Sequence, residues 1–158
     1  MTEQKNSASF TGHRVIPANL IPTIKFALEK TIISLVNKGV TSFYSGGACG
    51  WDLLAAEKVI AVKIQHGFSI KLIMVLPCRE HGVKWSDDDK SRLIKILKNA
   101  DEIIYLSEKY YDGCMKKRNE YLVEHSDFCV AYMVHGRSGT SQTVRLAREH
   151  GLEIINLA

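Results

Sequence analysis

The sequence lacks the features that identify several common classes of protein. Its four cysteines form no CxxC pair, and no Cys/His spacing is typical of a zinc site. No apolar run approaches the roughly 20 residues that a membrane helix needs, and the N-terminus does not resemble a secretory signal. Cys78 and Cys129 lie in or beside apolar strands, where buried thiols are expected. These absences predict a cytoplasmic protein without a metal or a membrane partner.

Motifs of well-known catalytic sites are missing as well. The chain has no GxSxG, no HExxH, no GxxxxGK[ST] and no pair of carboxylates at a suggestive spacing. The formal net charge is only +4, and lysine and arginine are spread along the chain apart from residues 116–118. A mildly basic chain of this kind suits a small anionic ligand, whereas nucleic acid is not an expected partner.

Strand and helix patterns alternate along the whole chain. Residues 70–76 form an almost unbroken apolar run, as in a central parallel strand that is covered on both faces. Apolar residues recur at helical spacing between Ile24 and Val36. The pattern predicts a single α/β domain over residues 1–158, with its core at about 8–157. We expect a doubly wound, mainly parallel sheet with helices on both faces, and strands at 8–12, 40–44, 70–76, 102–106, 128–134 and 153–157.

A glycine-rich turn, residues 45–52, follows one predicted strand and precedes a helix. Glycine lets a ligand approach the backbone closely, and a helix N-terminus favours anions, so Ser45, Gly46, Gly47 and Gly50 are candidate phosphate contacts. Asp52 could accept a hydrogen bond from a ligand hydroxyl or amine. The alternatives are a tight structural turn and an acid that stabilises its helix. Similarly, Trp51 is either a stacking platform or a core residue.

Other polar segments follow other predicted strands and should share the same edge of the sheet. The candidate ligand contacts in them are Gly12, His13, Arg14, Pro77, Arg118, Asn119, Ser138, Gly139 and Thr140. Arginine suits phosphate because its planar fork donates two hydrogen bonds at once. Each segment also has a simpler interpretation: Arg14 as a surface cation, Arg118 as part of a solvated basic face, and Thr140 as a helix N-cap. Tyr110 and Tyr111 could stack on a base or cover the core, and the remaining histidines, His81 among them, are expected at the surface.

An ordered set of these residues resembles the YpsA-like family of the SLOG superfamily. The set is Gly12-His13-Arg14, Gly46-Gly47-Ala48, Asp52, Ala55, Leu76-Pro77, Trp85, Tyr110, Arg118-Asn119, Ser126-Asp127 and Ser138-Gly139-Thr140. The superfamily also contains the Lonely Guy (LOG) proteins and the Rossmann part of DprA. The resemblance implies a Rossmann-like domain that binds a nucleotide or a nucleotide-derived signal. It also implies a homo-oligomer, since related Rossmann-like proteins often pair.

The LOG proteins provide a comparison for catalysis. They release a base from a nucleoside 5′-monophosphate with an arginine and with a glutamate in a PGGxGTxxE segment. Arg118 matches that arginine, but Thr143 stands where the glutamate would be, and a threonine cannot act as the carboxylate. His135 and Arg137 also depart from the segment. The resemblance therefore implies binding of a nucleotide-like ligand without strong catalysis and with no certain cofactor.

Two alternative functions stay open from the sequence. One is a LOG-like N-glycosidase with its carboxylate from Asp52 or Glu80. The other is a DprA-like module for single-stranded nucleic acid, against which the modest charge argues.

Overall fold

The computed structural model describes residues 6–158 and contains a six-stranded sheet in which every pairing is parallel. Its strands are β1 Ser7–Gly12, β2 Ser42–Ser45, β3 Lys71–Leu76, β4 Glu102–Tyr105, β5 Phe128–Tyr132 and β6 Glu153–Asn156. The helices between them are α1 Ile21–Asn37, α2 Trp51–His66, α3 Asp87–Asn99, α4 Cys114–Glu124 and α5 Gly139–Glu149. A short 3-10 turn, Ala18–Leu20, leads into α1. The predicted α/β alternation is confirmed.

The strand order is β4-β3-β2-β1-β5-β6, so the chain reverses its direction of winding between β1 and β5. In such a sheet the crevice for ligands lies at this switch point, beyond the carboxyl ends of the strands. The β1–β5 seam is reinforced at its start by Asp127, whose carboxylate accepts the backbone N–H groups of Asn6 and Ser7 at 3.1 and 3.2 Å. The position of the crevice is therefore set by the strand order and does not depend on any particular side chain.

Helices cover the two faces of the sheet separately. Apolar residues from α1, α2 and α3 form the main core with strand residues such as Phe10, Phe43 and Val130. On the opposite face α4 and α5 pack against the alternate residues of β5, Cys129 and Ala131. Neighbouring residues of a strand point to opposite faces, which explains this division. The sheet is doubly wound, as predicted.

Trp51 belongs to the core and does not form a stacking surface for a ligand. It is fully buried, its Nε1 donates to the carbonyl of Val130 at 3.2 Å, and its ring stacks on Tyr132 with centroids 5.6 Å apart. Gly12 provides the space, since a Cβ there would lie 2.3 Å from the indole ring. Of the two interpretations of Trp51, the core residue is the right one.

The cysteines and the helices show two further properties. Cys78 and Cys129 are buried, as predicted, and Cys114 is buried with them. All four cysteines are free thiols. Within residues 6–158, no helix combines the length and the apolar character required to cross a bilayer.

Candidate functional site

A polar cleft of about 340 Å³ lies at the switch point, at the carboxyl edge of the sheet. Four segments line it: the end of β1 with the loop that follows, the turn before α2 with the start of that helix, the N-terminal half of α4, and the connection from β5 to α5. The lining residues are Thr11, Gly12, His13, Arg14, Ala48, Asp52, Met115, Arg118, Asn119, Ser138, Gly139 and Thr140.

Most of the candidate residues identified in the sequence therefore share one cavity. Those that lie outside its lining are Ser45, Gly46, Gly47, Gly50 and Pro77. Pro77 is buried at the end of β3. Thr11 and Met115 line the cleft but are not distinguished by any motif in the sequence, and Ala48 belongs to the glycine-rich motif but was not among the predicted contacts.

The glycine-rich turn is held together by its own hydrogen bonds. The amide of Gly47 donates to Ser45 Oγ at 3.3 Å, and the amide of Ala48 donates to Asp52 Oδ2 at 3.2 Å. Ser45 Oγ in turn donates to the carbonyl of Asp52 at 3.0 Å. These contacts match the alternative interpretation of the segment as a structural turn, because the amides of Gly47 and Ala48 are already engaged.

The same turn fits closely against the loop after β1. Gly50 has φ +80, a conformation that side-chain-bearing residues rarely adopt, and a Cβ there would lie 2.2 Å from the carbonyl oxygen of Arg14. The amide of Trp51 donates to the carbonyl of His13 at 3.2 Å. The turn thus locks the start of α2 to the loop that carries His13 and Arg14.

Asp52 is a buried carboxyl group in the wall of the cleft. Its residue is 6% exposed, and within residues 6–158 its Oδ1 atom is buried without a hydrogen-bond partner. Burial raises its pKa to about 6, against the opposing effects of Arg118, the Ala48 amide and Arg14. A buried carboxyl oxygen without a partner is costly, so it requires an explanation beyond stabilising the start of α2.

Arg118 is 4% exposed, whereas Lys116 and Lys117 beside it are exposed. The interpretation of Arg118 as part of a solvated basic face is therefore wrong. Its Nε donates to Asn119 Oδ1 at 2.8 Å and its Nη1 donates to the carbonyl of Gly46, so neither bond uses Nη2. Burial lowers the pKa of this guanidinium, and Arg14 lowers it further.

The charges of the cleft are not balanced by one another. The salt bridges within residues 6–158 do not include one between Arg118 and Asp52. Arg14 and Arg118 are close enough to affect the ionisation of Asp52, and they face it as two cations to one carboxylate. The cleft therefore has an excess of positive charge that an anion would neutralise.

The hydrogen bonding of His13 favours its neutral form. Its Nε2 accepts the amide hydrogen of Val134 at 2.8 Å, and its ring stacks on His135 with centroids 4.6 Å apart. Burial and the neighbouring His135 lower its pKa. His13 thus joins the loop after β1 to the loop after β5, across the switch point.

The N-terminus of α5 forms another wall of the cleft. Ser138 is its N-cap, and Ser138 and Ser141 bond each other's backbone N–H groups at 3.2 and 3.0 Å in a capping box. The interpretation of Thr140 as the N-cap is therefore wrong, because the helix starts one residue before it, at Gly139. The amides of Gly139 and Thr140 have no carbonyl partner within the helix.

His81 was expected at the surface, and that expectation is wrong. It is partly buried, and its Nε2 bonds the carbonyl of Gly47 at 2.8 Å, while its ring packs edge-on against Trp85. Burial lowers the pKa of this imidazole. A neutral ring with its proton on Nε2 donates to that carbonyl. The only feature of the sequence that could have identified His81 as a functional residue is its position in a loop after a central strand.

Two other residues lie away from the cleft lining. Glu80 is exposed and accepts the backbone N–H of Tyr110 at 3.0 Å, and it does not contribute to the cleft. Tyr110 and Tyr111 are 60% and 45% exposed, so they do not cover the core. Asp52 is thus the only carboxylate among the lining residues.

The all-parallel sheet, wound in both directions from β1 and with a polar cleft at its switch point, defines a Rossmann-like domain. The family model YpsA, described as the YspA SLOG family, matches residues 17–149. The chain belongs to this family, and the resemblance predicted from its motifs is confirmed.

Several bacterial proteins are similar to the chain in sequence. A UPF0398 protein of Halalkalibacterium halodurans is 35% identical over 109 residues, which cover 68% of this chain and 57% of that protein. The SPbeta prophage-derived protein YoqJ of Bacillus subtilis is 30% identical over 139 residues, or 77% of this chain and 81% of YoqJ. The chain thus spans little more than half the length of the first relative and most of the second.

Two solved structures share the fold. DNA processing protein A (DprA) of Helicobacter pylori has a TM-score of 0.69 and 20% identity, and the match covers 97% of this chain and 65% of that one. DprA of Streptococcus pneumoniae has a TM-score of 0.67 and 19% identity, with 96% and 50% covered. At these identities the likeness establishes the fold alone.

Proposed function

We propose that this domain binds a small phosphorylated, nucleotide-type ligand in the cleft and does not catalyse its conversion efficiently. The observation that carries the proposal is the buried, unpartnered Oδ1 of Asp52 in a cleft shared with two arginines. Buried polar atoms are nearly always hydrogen-bonded, so a donor from a ligand is the natural partner of this oxygen. The switch point of a doubly wound sheet is where such a ligand binds.

The phosphate would bind between Arg14, Arg118 and the N-terminus of α5. The amides of Gly139 and Thr140 are available there, and the helix end adds a partial positive charge. The sequence led us to expect phosphate contacts at Gly46, Gly47 and Gly50 and at residues 138–140, and only the second group lies in the cleft lining. In the proposal the glycine-rich turn positions Asp52 and Arg118.

Asp52 would accept a hydrogen bond from a hydroxyl or amine of the ligand. A ribose hydroxyl or an exocyclic amine of a base meets this requirement, and a simple inorganic anion does not. The combination of a cationic region and one buried acceptor favours a nucleotide over free phosphate. Phosphate alone should therefore bind more weakly than a nucleotide.

The proposal is tested by titrating purified protein with mononucleotides, nucleoside diphosphates, triphosphates and dinucleotides in a calorimeter. We expect saturable binding of at least one of them, and loss of that binding in an Asp52→Asn variant that stays folded. Mass spectrometry of small molecules released by heat denaturation would identify a ligand that copurifies. If no phosphorylated nucleotide binds at any accessible concentration, the proposal is wrong.

One observation favours a nucleotide N-glycosidase as a second candidate. Asp52 supplies a carboxyl group in the cleft, and its pKa of about 6 suits general acid–base chemistry near neutrality. Thr143, at the position of the LOG glutamate, instead donates its hydroxyl to the carbonyl of Gly139 at 3.0 Å. Incubation with nucleoside monophosphates at high protein concentration tests this candidate activity, since free base would appear only if the domain hydrolyses them.

Single-stranded DNA is a third candidate because of the shared fold. The Helicobacter pylori DprA structure is described with a single-stranded DNA binding mode. Lys and Arg exceed Asp and Glu by only four in this chain, which does not favour a nucleic-acid backbone. This candidate would be supported if the protein retards a single-stranded oligonucleotide in a gel at low salt and releases it at higher salt.

The expected homo-oligomer is a separate question, and light scattering would establish whether the domain forms it.

A further inference from the structure

A second cavity of about 760 Å³ runs along the surface between α4 and α5. We call it the α4–α5 groove. Met115, Asn119 and Gly139 line both this groove and the cleft, so the two spaces meet at the N-terminal ends of these helices. Of its lining residues, Asn119, Gly139 and Thr143 occupy motif positions that the sequence pattern relates to nucleotides, and the others do not. A ligand held in the cleft can therefore extend into it.

Two helix N-termini and a buried arginine place positive charge at the junction of the two cavities. Gly113, the N-cap of α4, and Gly139, the first residue of α5, both line the groove, so two eleven-residue helices direct their N-termini toward the junction. Arg118 is buried on the cleft side of the junction. A phosphate is thus best placed between the two cavities, where organic groups attached to it can extend in either direction.

The groove beyond the junction is chemically different. Leu146 supplies apolar surface that continues from Met115 at the junction, and Gln142 supplies an amide. Its charges balance, with Lys116 and Arg145 opposed by Glu120 and Glu149. Balanced charge does not favour a chain of phosphates or a nucleic-acid backbone. It suits a neutral group with hydrogen-bonding edges and an apolar face, such as a sugar with its base.

From this arrangement we propose that the ligand carries organic groups on both sides of its phosphate. It would be a dinucleotide in the broad sense, in which a phosphodiester or pyrophosphate links a nucleoside to a second group of similar size. The first nucleoside would occupy the cleft beside Asp52, and the second group would occupy the α4–α5 groove. This inference rests on the proposed function, because it requires the cleft to bind the phosphorylated end of a nucleotide.

The test compares 5′-mononucleotides with dinucleotides that contain the same bases, by calorimetry on the full chain. We expect the preferred dinucleotide to bind at least about tenfold more tightly than its mononucleotide, because the second group adds contacts at little extra entropic cost. Gln142→Trp, which fills the groove with an indole, should weaken the dinucleotide far more than the mononucleotide. Gln65→Trp is the matched control, since Gln65 is an exposed residue of α2 on the opposite face of the sheet.

Arg145→Ala is the second variant, for the case in which the indole disturbs folding. Arg145 is exposed, so its truncation should leave the unfolding temperature unchanged while weakening the dinucleotide severalfold. Equal affinities for mononucleotides and dinucleotides would overturn this inference and leave the proposed function standing. Failure of both classes to bind would overturn the proposed function itself. Affinity that keeps rising with oligonucleotide length would assign the groove to a nucleic-acid strand and overturn the small dinucleotide.

Discussion

Arg118 donates a hydrogen bond from Nη1 to the carbonyl oxygen of Gly46, which joins α4 to the turn between β2 and α2. The contact is so close that a Cβ at Gly46 would lie 2.7 Å from Arg118 Cδ. The glycine is therefore needed for the approach of the arginine. The turn holds the guanidinium of Arg118 in position. The turn therefore contributes to the cleft indirectly, through the placement of Arg118.

Replacement of Arg118 by methionine should weaken ligand binding by about tenfold to a hundredfold, since a hydrogen bond to a charged group contributes roughly 1.5–3 kcal/mol. The change also removes a nearby positive charge that lowers the pKa of Asp52. Calorimetric titration measures the loss. Lys117→Met is the control on the same helix, because Lys117 is exposed and outside the cleft lining. Equal affinities in the two variants would contradict a role for Arg118 in binding.

The stability of the domain should depend on Asp52 in a particular pH range. Burial raises its pKa from 3.8 to about 6, so the folded state binds the proton more tightly than the unfolded state does. The resulting stabilisation is complete below pH 3.8 and is lost as the pH rises through about 6. Asp52→Asn removes this dependence, so its stability relative to the unmodified protein should increase by about 1–3 kcal/mol between pH 4 and 7.5.

Chemical denaturation of both proteins across this pH range measures the effect. His13 and His81 act in the opposite sense, because their pKa values are lowered from 6.5: the stability they contribute is present above pH 6.5 and is lost as the pH falls below it, toward their folded-state pKa values. Their contribution is common to both proteins, so the difference between the two curves isolates Asp52. Parallel curves would show that the carboxyl group of Asp52 has an ordinary pKa.

Gly12→Ala should destabilise the domain by about 1–3 kcal/mol or more, the usual cost of overpacking a core. The new methyl group would lie 2.3 Å from the ring of Trp51, which is fully buried. Urea unfolding gives the free energy directly. Gly136→Ala is the matched control, since a Cβ there meets nothing within 4 Å and its φ is not positive. A similar small cost at both positions would refute the packing argument.

Substitution of His81 tests how the glycine-rich turn is supported. His81→Leu removes the hydrogen bond to the carbonyl of Gly47, a buried residue, and should cost about 1–3 kcal/mol. His81→Gln restores a donor near the position of Nε2 and should recover much of that loss. Thermal unfolding at pH 8, where the imidazole is neutral, provides the comparison. If leucine and glutamine behave alike, the hydrogen bond does not support the turn.

The sequence predicted the fold well because its signals are local. Alternating apolar runs and helical spacings are properties of short segments, and parallel strands require the crossovers between them. Errors occur at element ends, where distant contacts decide. The strand predicted over residues 128–134 ends at Tyr132, since the amide of Val134 instead donates to His13 Nε2 in the loop after β1.

The grouping of most candidate residues around one cleft could be predicted, because every loop after a strand reaches the same edge of a parallel sheet. The chemical state of each side chain was not predictable, since burial depends on the whole fold. Lys116, Lys117 and Arg118 are similar in the sequence, yet only the arginine turns inward. His81 and Gly47 likewise meet across 34 residues, a contact for which the sequence has no local pattern.

The pairing of β1 with β5 also governs when the cleft can form during folding. Ala8 is in register with Phe128, so the two walls at the switch point come from opposite ends of the chain. The cost of closing so long a loop must be met before the contacts across it provide any stabilisation. A nascent chain that has completed β1 to β4 still lacks β5, the N-terminus of α5 and Arg118. The proposed ligand would thus bind only to the finished domain and would not act as a template for its early folding.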